Sequence, residues 1–130
     1  MLEMMRKLFG FNRVPTSTAY LNPILQCLRG LGGSARIEEL NSRVAESMGL
    51  SDEVLAVLHR PWHQGQTEFA YRMAWAGAYL QILGLITDSQ RAVWSLTPLG
   101  WETKVVDPRA VEQEVHRQLL DAVRNSRGRA

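Results

Sequence analysis

The chain has 130 residues, 45% of them hydrophobic and 22% charged, with a formal net charge of +2. That is enough for one domain with a core of its own, and the single cysteine, Cys27, excludes an internal disulfide. No apolar run approaches the roughly 20 residues that span a bilayer, and the opening MLEMMRKLFGFNRVP lacks both an uninterrupted apolar segment and a small-residue cleavage site. The expectation is a cytoplasmic protein that neither enters nor crosses a membrane.

The charge is unevenly spread. Residues 1–17 set Arg6, Lys7 and Arg13 against Glu3, and residues 107–130 set five arginines against four acids, whereas the segment between them has seven cations and eight acids. The ends are basic and the middle is slightly acidic. A nucleic-acid surface in the middle therefore requires folding to gather Arg60, Arg72 and Arg91 on one side, away from Glu38, Glu39 and Glu46.

In chain order, residues 1–17 read as an N-terminal arm whose apolar side chains pack on the body or on a second subunit, with residues 14–17 as the hinge. A first helix is expected from Ala19 or Leu21 to Leu31, with Pro23 tolerated in its opening turn and Ile24, Leu25, Leu28 and Leu31 as its apolar stripe. Residues 34–37 form a short extended connection. Residues 38–48 make a second helix with Leu40, Val44 and Met48 inward, and Ser51 caps a third, short one through Leu58. A linker over residues 59–65 leads to the longest pattern in the chain. There Phe69, Met73, Ala76, Leu80 and Leu83 recur at helical spacing and define the core side of a helix over residues 67–83.

Ala70, Ala74 and Ala78 on the opposite side permit close approach by a DNA groove or another helix. Trp75 and Ile82 fall between the two faces, which implies burial on more than one side. Gly84 ends the helix. Residues 85–87 and 93–96 have strand composition around a polar turn at residues 88–92, so a hairpin wing follows the helix. A helical turn over residues 97–103 surrounds Trp101. Asp107 and Pro108 then start a last helix to about Val123, by the pattern of a cap followed by proline. Its stripe of Val111, Val115, Leu119 and Ala122 or Val123 must be covered by the domain or by a second copy, and residues 124–130 read as a loose basic tail.

No catalytic constellation emerges. His59 and His63 are four apart, but Pro61 lies between them and no third ligand follows, so no metal is expected. Gly30, Gly32 and Gly33 follow a helix, whereas phosphate- and dinucleotide-binding loops follow strands, and no cofactor is expected. Cys27, in an apolar helical pattern, reads as a buried thiol.

The segments LNPILQCL, IEELNSRVAESMGLSDE, GQTEFAYRMAWAGAYLQILGLI and AVWSLTPLG, in that order, make residues 20–100 resemble the N-terminal domain of Mrr-type restriction endonucleases. The matching positions include Gln66, Thr67, Phe69, Arg72, Trp75, Ala76, Tyr79, Gly84, Trp94, Thr97 and Gly100. The resemblance implies a winged helix that precedes a nuclease domain, whose acidic and lysine motif is not found within these residues. Tyr71 stands where a polar residue is common, and Ala92 where a glycine often precedes the second wing strand.

The expected fold is thus mainly α with a small β-hairpin wing: an arm over residues 1–17, a winged-helix domain over 18–106, and a C-terminal helix with basic tail over 107–130. The expected function is non-catalytic binding of duplex DNA, as a homodimer through the terminal segments. Candidate contacts are Gln66, Thr67 and Arg72 at the helix start, Arg91 on the wing, Arg60 in the linker, and Arg36 and Arg43 toward the backbone. For Arg72 a second role stands beside this one, that of a half-buried ion-pair partner near Phe69 and Trp75. The alternative function is a protein-interaction module that assembles with itself or with a separate nuclease subunit.

Overall fold

A computed structural model describes residues 13–60 and 65–128. A 3-10 turn at Ser17–Tyr20 leads into helix α1 (Leu21–Gly30), strand β1 (Ser34–Arg36), helix α2 (Ile37–Ser47) and the one-turn helix α3 (Asp52–Leu55). Helix α4 (Glu68–Ile82), strands β2 (Ile86–Gln90) and β3 (Val93–Leu96), the short helix α5 (Pro98–Glu102) and the long helix α6 (Pro108–Gly128) complete it. The fold is mainly helical with one small antiparallel sheet in the order β1-β3-β2, an order of elements that matches a winged helix. The expected extended connection is thus a true strand, with Ala35 opposite Trp94.

Local chemistry accounts for most boundaries. Thr67 does not enter the long helix but caps it, its hydroxyl accepting the Ala70 amide at 3.1 Å, and Ser51 caps α3 by accepting from Val54 at 3.2 Å. At the other end, Gly84 takes φ 75°, the left-handed conformation that a helix terminus favours in glycine. Thr97 ties two elements together, accepting the Gly100 amide at 3.0 Å and donating to the Gly84 carbonyl at 2.5 Å.

One core holds these elements. Leu21, Ile24, Leu25 and Leu28 from α1, Leu40 and Val44 from α2, Phe69, Met73, Ala76 and Leu80 from α4, and Ile86, Trp94 and Leu96 from the sheet are all buried. Leu31, Met48 and Leu83 pack at its edge. Val111 and Val115 bring the first half of α6 against it. The Asn22 side chain fixes the approach to α6 by a two-way bond to the Val106 backbone, donating to its carbonyl at 3.0 Å and accepting its amide at 2.8 Å. Arg29 likewise clamps α5, donating to the Gly100 and Trp101 carbonyls at 3.0 and 2.6 Å.

Three expectations need correction. Trp75 and Ile82 are exposed, so α4 buries one face rather than several. The deepest approach to that helix is at Gly77, where an added methyl group would overlap the buried Trp94 ring. The basic tail is helical as far as Gly128. Alternation of polar and small residues hid the last turns, since Arg124, Asn125 and Ser126 lack any apolar period. β2 also runs further than expected, to Gln90, with a bulge between Thr87 and Gln90 and a tight turn at Arg91 and Ala92. Residues 1–12 of the arm, and Trp62 and His63 in the linker, lie outside the described residues.

Candidate functional site

Backbone pairing builds the start of α4. Leu58 and Thr67 form an antiparallel bridge, the His59 amide donates to Gln66 at 2.9 Å, and the Glu68 amide donates to Val57 at 2.8 Å. The linker is therefore closed at its base, which brings Arg60 and Gln66 together. With His59 and Tyr71 they line an open cleft of about 270 Å³. The His59 and Tyr71 rings stack at 3.7 Å, and the aromatic row continues to Trp75 and Tyr79 with centroids 6.5 and 6.3 Å apart. Residues four apart share one helix face, so this row runs along the side of α4.

Beneath the row lies a buried charge cluster. The Glu68 carboxylate is 8% exposed; it accepts from Arg72 Nε at 2.8 Å and meets His59 Nδ1 at 2.8 Å. Arg72 also donates through Nη1 to the Val14 and Pro15 carbonyls, at 2.7 and 3.2 Å. A carboxylate out of water needs such partners. Arg72 thus ties α4 to the chain segment entering the domain, and its side chain is only 22% exposed. Nearby, burial pushes the Tyr20 phenol up to about 12, Arg72 pulling it down and Glu68 up by smaller amounts. Its hydroxyl has no hydrogen-bond partner among the described residues.

The candidate contacts fall in four places. Arg60 and Gln66 share the cleft at the start of α4. Arg36 and Arg91 lie at one end of the sheet: Arg36 is opposite Val93 in β3, and the next amide, Ile37, donates to Ala92 at 2.9 Å. Both are exposed. Arg43 lines a separate cleft with Cys27, Leu31 and Glu46 between α1 and α2. Thr67 and Arg72 are engaged inside the fold as cap and ion pair.

Glu68 escaped the sequence reading, as did the stacking of His59 on Tyr71 and the bond from His59 to Glu68. The spacing of Glu68 and Arg72, four apart on a helix with the acid first, was the one signal that could have found part of the cluster. Nothing in the linker marks His59, because its partner is reached only when residues 57–59 and 66–68 pair.

The wing turn adds a local feature. Ala92 takes φ 60°, a conformation that side chains beyond glycine disfavour. The row of small residues on α4 carries no acid or base; the acid and the base of the helix, Glu68 and Arg72, pair with each other.

Comparison with known proteins follows the same lines. The chain is similar to the type IV methyl-directed restriction enzyme EcoKMrr of Escherichia coli (strain K12), 29% identical over 104 residues. The match covers 79% of this chain and 33% of that enzyme, so the chain spans about a third of the length of its relative. No solved structure matches it. The Mrr N-terminal domain family matches over residues 18–105, which takes in every element from α1 to α5. The chain therefore belongs to the Mrr N-terminal domain family.

Proposed function

We propose that this domain binds duplex DNA and does no chemistry on it. The contacts are Arg60 and Gln66 at the start of α4 and Arg36 and Arg91 at the sheet end. The observation that carries this is the sorting of the arginines. Arg29 and Arg72 are used up inside the fold, whereas Arg36, Arg60 and Arg91 are exposed and enter no ion pair among the described residues. Free guanidinium groups on a wing and beside a helix start suit phosphate oxygens, which they can grip with two parallel bonds. Family membership supports the same reading.

Thr67 and Arg72 serve here by holding α4 in place rather than by touching DNA. The outer side of α4, with Tyr71, Ala74, Trp75 and Ala78, offers apolar contact and little hydrogen bonding. Such a face suits base methyl groups, which the major groove presents. The relative is named as methyl-directed. The test is a duplex-binding titration of Arg91→Ala and Arg60→Ala against the native chain. Each is expected to weaken binding about uniformly across sequences, with thermal stability unchanged. Unchanged affinity at low salt for both variants would remove these contacts from the account.

A second reading rests on the exposure of Trp75 and Ile82 on α4, whose one cation, Arg72, is paired with Glu68. Such a face also suits a protein partner, for example a separate nuclease subunit. Retained affinity for DNA in Trp75→Ala, with loss of that partner, would favour it.

A further inference from the structure

His59 is held at one ring nitrogen and open at the other. Nδ1 lies 2.8 Å from Glu68 Oε2; a carboxylate only accepts hydrogen bonds, so Nδ1 carries the proton of the neutral ring. Nε2 bonds to none of the described residues, and the shape of the ring points it away from the buried carboxylate. Stacking on Tyr71 at 3.7 Å holds that orientation. The side chain is 26% exposed and lines the open cleft with Arg60 and Gln66. A second proton on the ring therefore sits on Nε2 and makes it a donor on the side away from Glu68.

Charge decides what that donor suits. With the ring neutral, Glu68 and Arg72 cancel, and Arg60 is the cation of the cleft. With the ring protonated, the carboxylate lies between two cations, Arg72 on Oε1 and His59 on Oε2, and one positive charge is left over. Its other neighbours among the described residues do not absorb that charge. Tyr71 and, beyond Glu68, Tyr20 are phenols. On α3, Glu53 pairs with Arg13 at 3.8 Å, and Asp52 is exposed. An anion in the cleft supplies what is missing. A backbone phosphate has two unbridged oxygens, one to accept from Arg60 and one from Nε2.

We propose that His59 is a proton-linked phosphate ligand: the duplex phosphate at Arg60 is bound together with a proton on His59 Nε2, while Glu68 holds Nδ1 and sets the ring. The inference rests on the DNA-binding reading and adds to it a contact residue and a dependence on pH. Because the protonated ring is the form that grips phosphate, affinity rises as pH falls through the range in which imidazoles titrate.

The test is anisotropy of a rhodamine-labelled random duplex at low salt, at pH 8 and pH 6, with the native chain and His59→Gln. Glutamine carries no charge at either pH, and its amide can still donate to Glu68. Native affinity is expected to rise about fivefold from pH 8 to pH 6, whereas His59→Gln should match the native chain at pH 8 and stay there at pH 6. Thermal melts check that the variant is folded. Independently of any variant, calorimetry of native binding in two buffers of different ionisation enthalpy should show uptake of about half a proton per chain at pH 7. Binding by the native chain without proton uptake, or a pH dependence that His59→Gln retains, overturns the proposal and leaves the DNA-binding reading standing. So does an equal loss of affinity at both pH values in His59→Gln, the mark of a structural role. A native chain that binds the duplex at neither pH overturns both.

Discussion

Arg72→Met is the change that best separates a structural arginine from a DNA contact. Methionine keeps the length of the side chain and removes its charge, so three hydrogen bonds vanish: one to Glu68 at 2.8 Å and two to the Val14 and Pro15 carbonyls at 2.7 and 3.2 Å. Breaking a buried ion pair by removing one partner costs roughly 3–5 kcal/mol, most of it from the charge left behind. The Arg72 side chain is 22% exposed, and water can reach part of the vacated space, which places the expected loss near the lower end, about 3 kcal/mol. Urea unfolding followed by circular dichroism measures it, provided the slope with denaturant is unchanged.

Replacing Glu68 by methionine as well removes the stranded carboxylate, so the double variant should recover about 1–2 kcal/mol relative to Arg72→Met. A loss below about 1 kcal/mol in the single variant would refute the argument, because it would show a surface pair of little consequence. So would a fall in DNA affinity with full stability, which would return Arg72 to the contact surface.

The remaining predictions address packing, ionisation and the wing. Gly77→Ala adds a methyl group that overlaps the buried Trp94 ring; overpacking should exceed the gain in helix propensity and lower stability by about 1–2 kcal/mol, with Trp94→Phe relieving it in the double variant. The folded Tyr20 phenol is held neutral up to about 12 against an ordinary 10. Its contribution to stability is thus complete below pH 10 and lost as pH rises toward 12, a decline that thermal melts should show in the native chain and not in Tyr20→Phe. At neutral pH the same variant should be no less stable, since the buried hydroxyl lacks a partner among the described residues. Ala92→Gly relieves φ 60° at the wing turn and should raise stability by about 0.5 kcal/mol in the same urea assay.

Much of the architecture is legible in the sequence because it is written in short-range chemistry. Ser51 and Asp107 mark helix starts by the groups they offer to orphan amides, and Gly84 marks an end, whereas Thr67, expected inside α4, caps it. The Phe69, Met73, Ala76 and Leu80 spacing declares the buried side of α4. What escapes is whatever depends on distant partners. Ser34–Arg36 is too short to show a period and becomes a strand only by pairing with β3. Trp75 and Ile82 look buried by composition, yet neighbouring elements cover one side of α4 alone. The close approach at Gly77 is invisible without Trp94, seventeen positions on.

The site divides in the same way. Residue type nominates all the arginines alike; the tertiary contacts then withdraw Arg29 and Arg72 into the fold and leave Arg36, Arg60 and Arg91 outside. Arg43 is exposed as well, but lines its own cleft between α1 and α2, apart from both the α4 start and the sheet end.

The most direct measurement is the salt dependence of binding to a fluorescein-labelled random duplex, by anisotropy, for the native chain and for the variant carrying Arg36→Ala, Arg60→Ala and Arg91→Ala. Each phosphate contact contributes about −0.9 to the slope of log affinity against log salt. The account predicts binding at low salt by the native chain and a slope shallower by about 2–3 in the variant, with both equally stable. No binding at low salt, or the same slope in both, would contradict it.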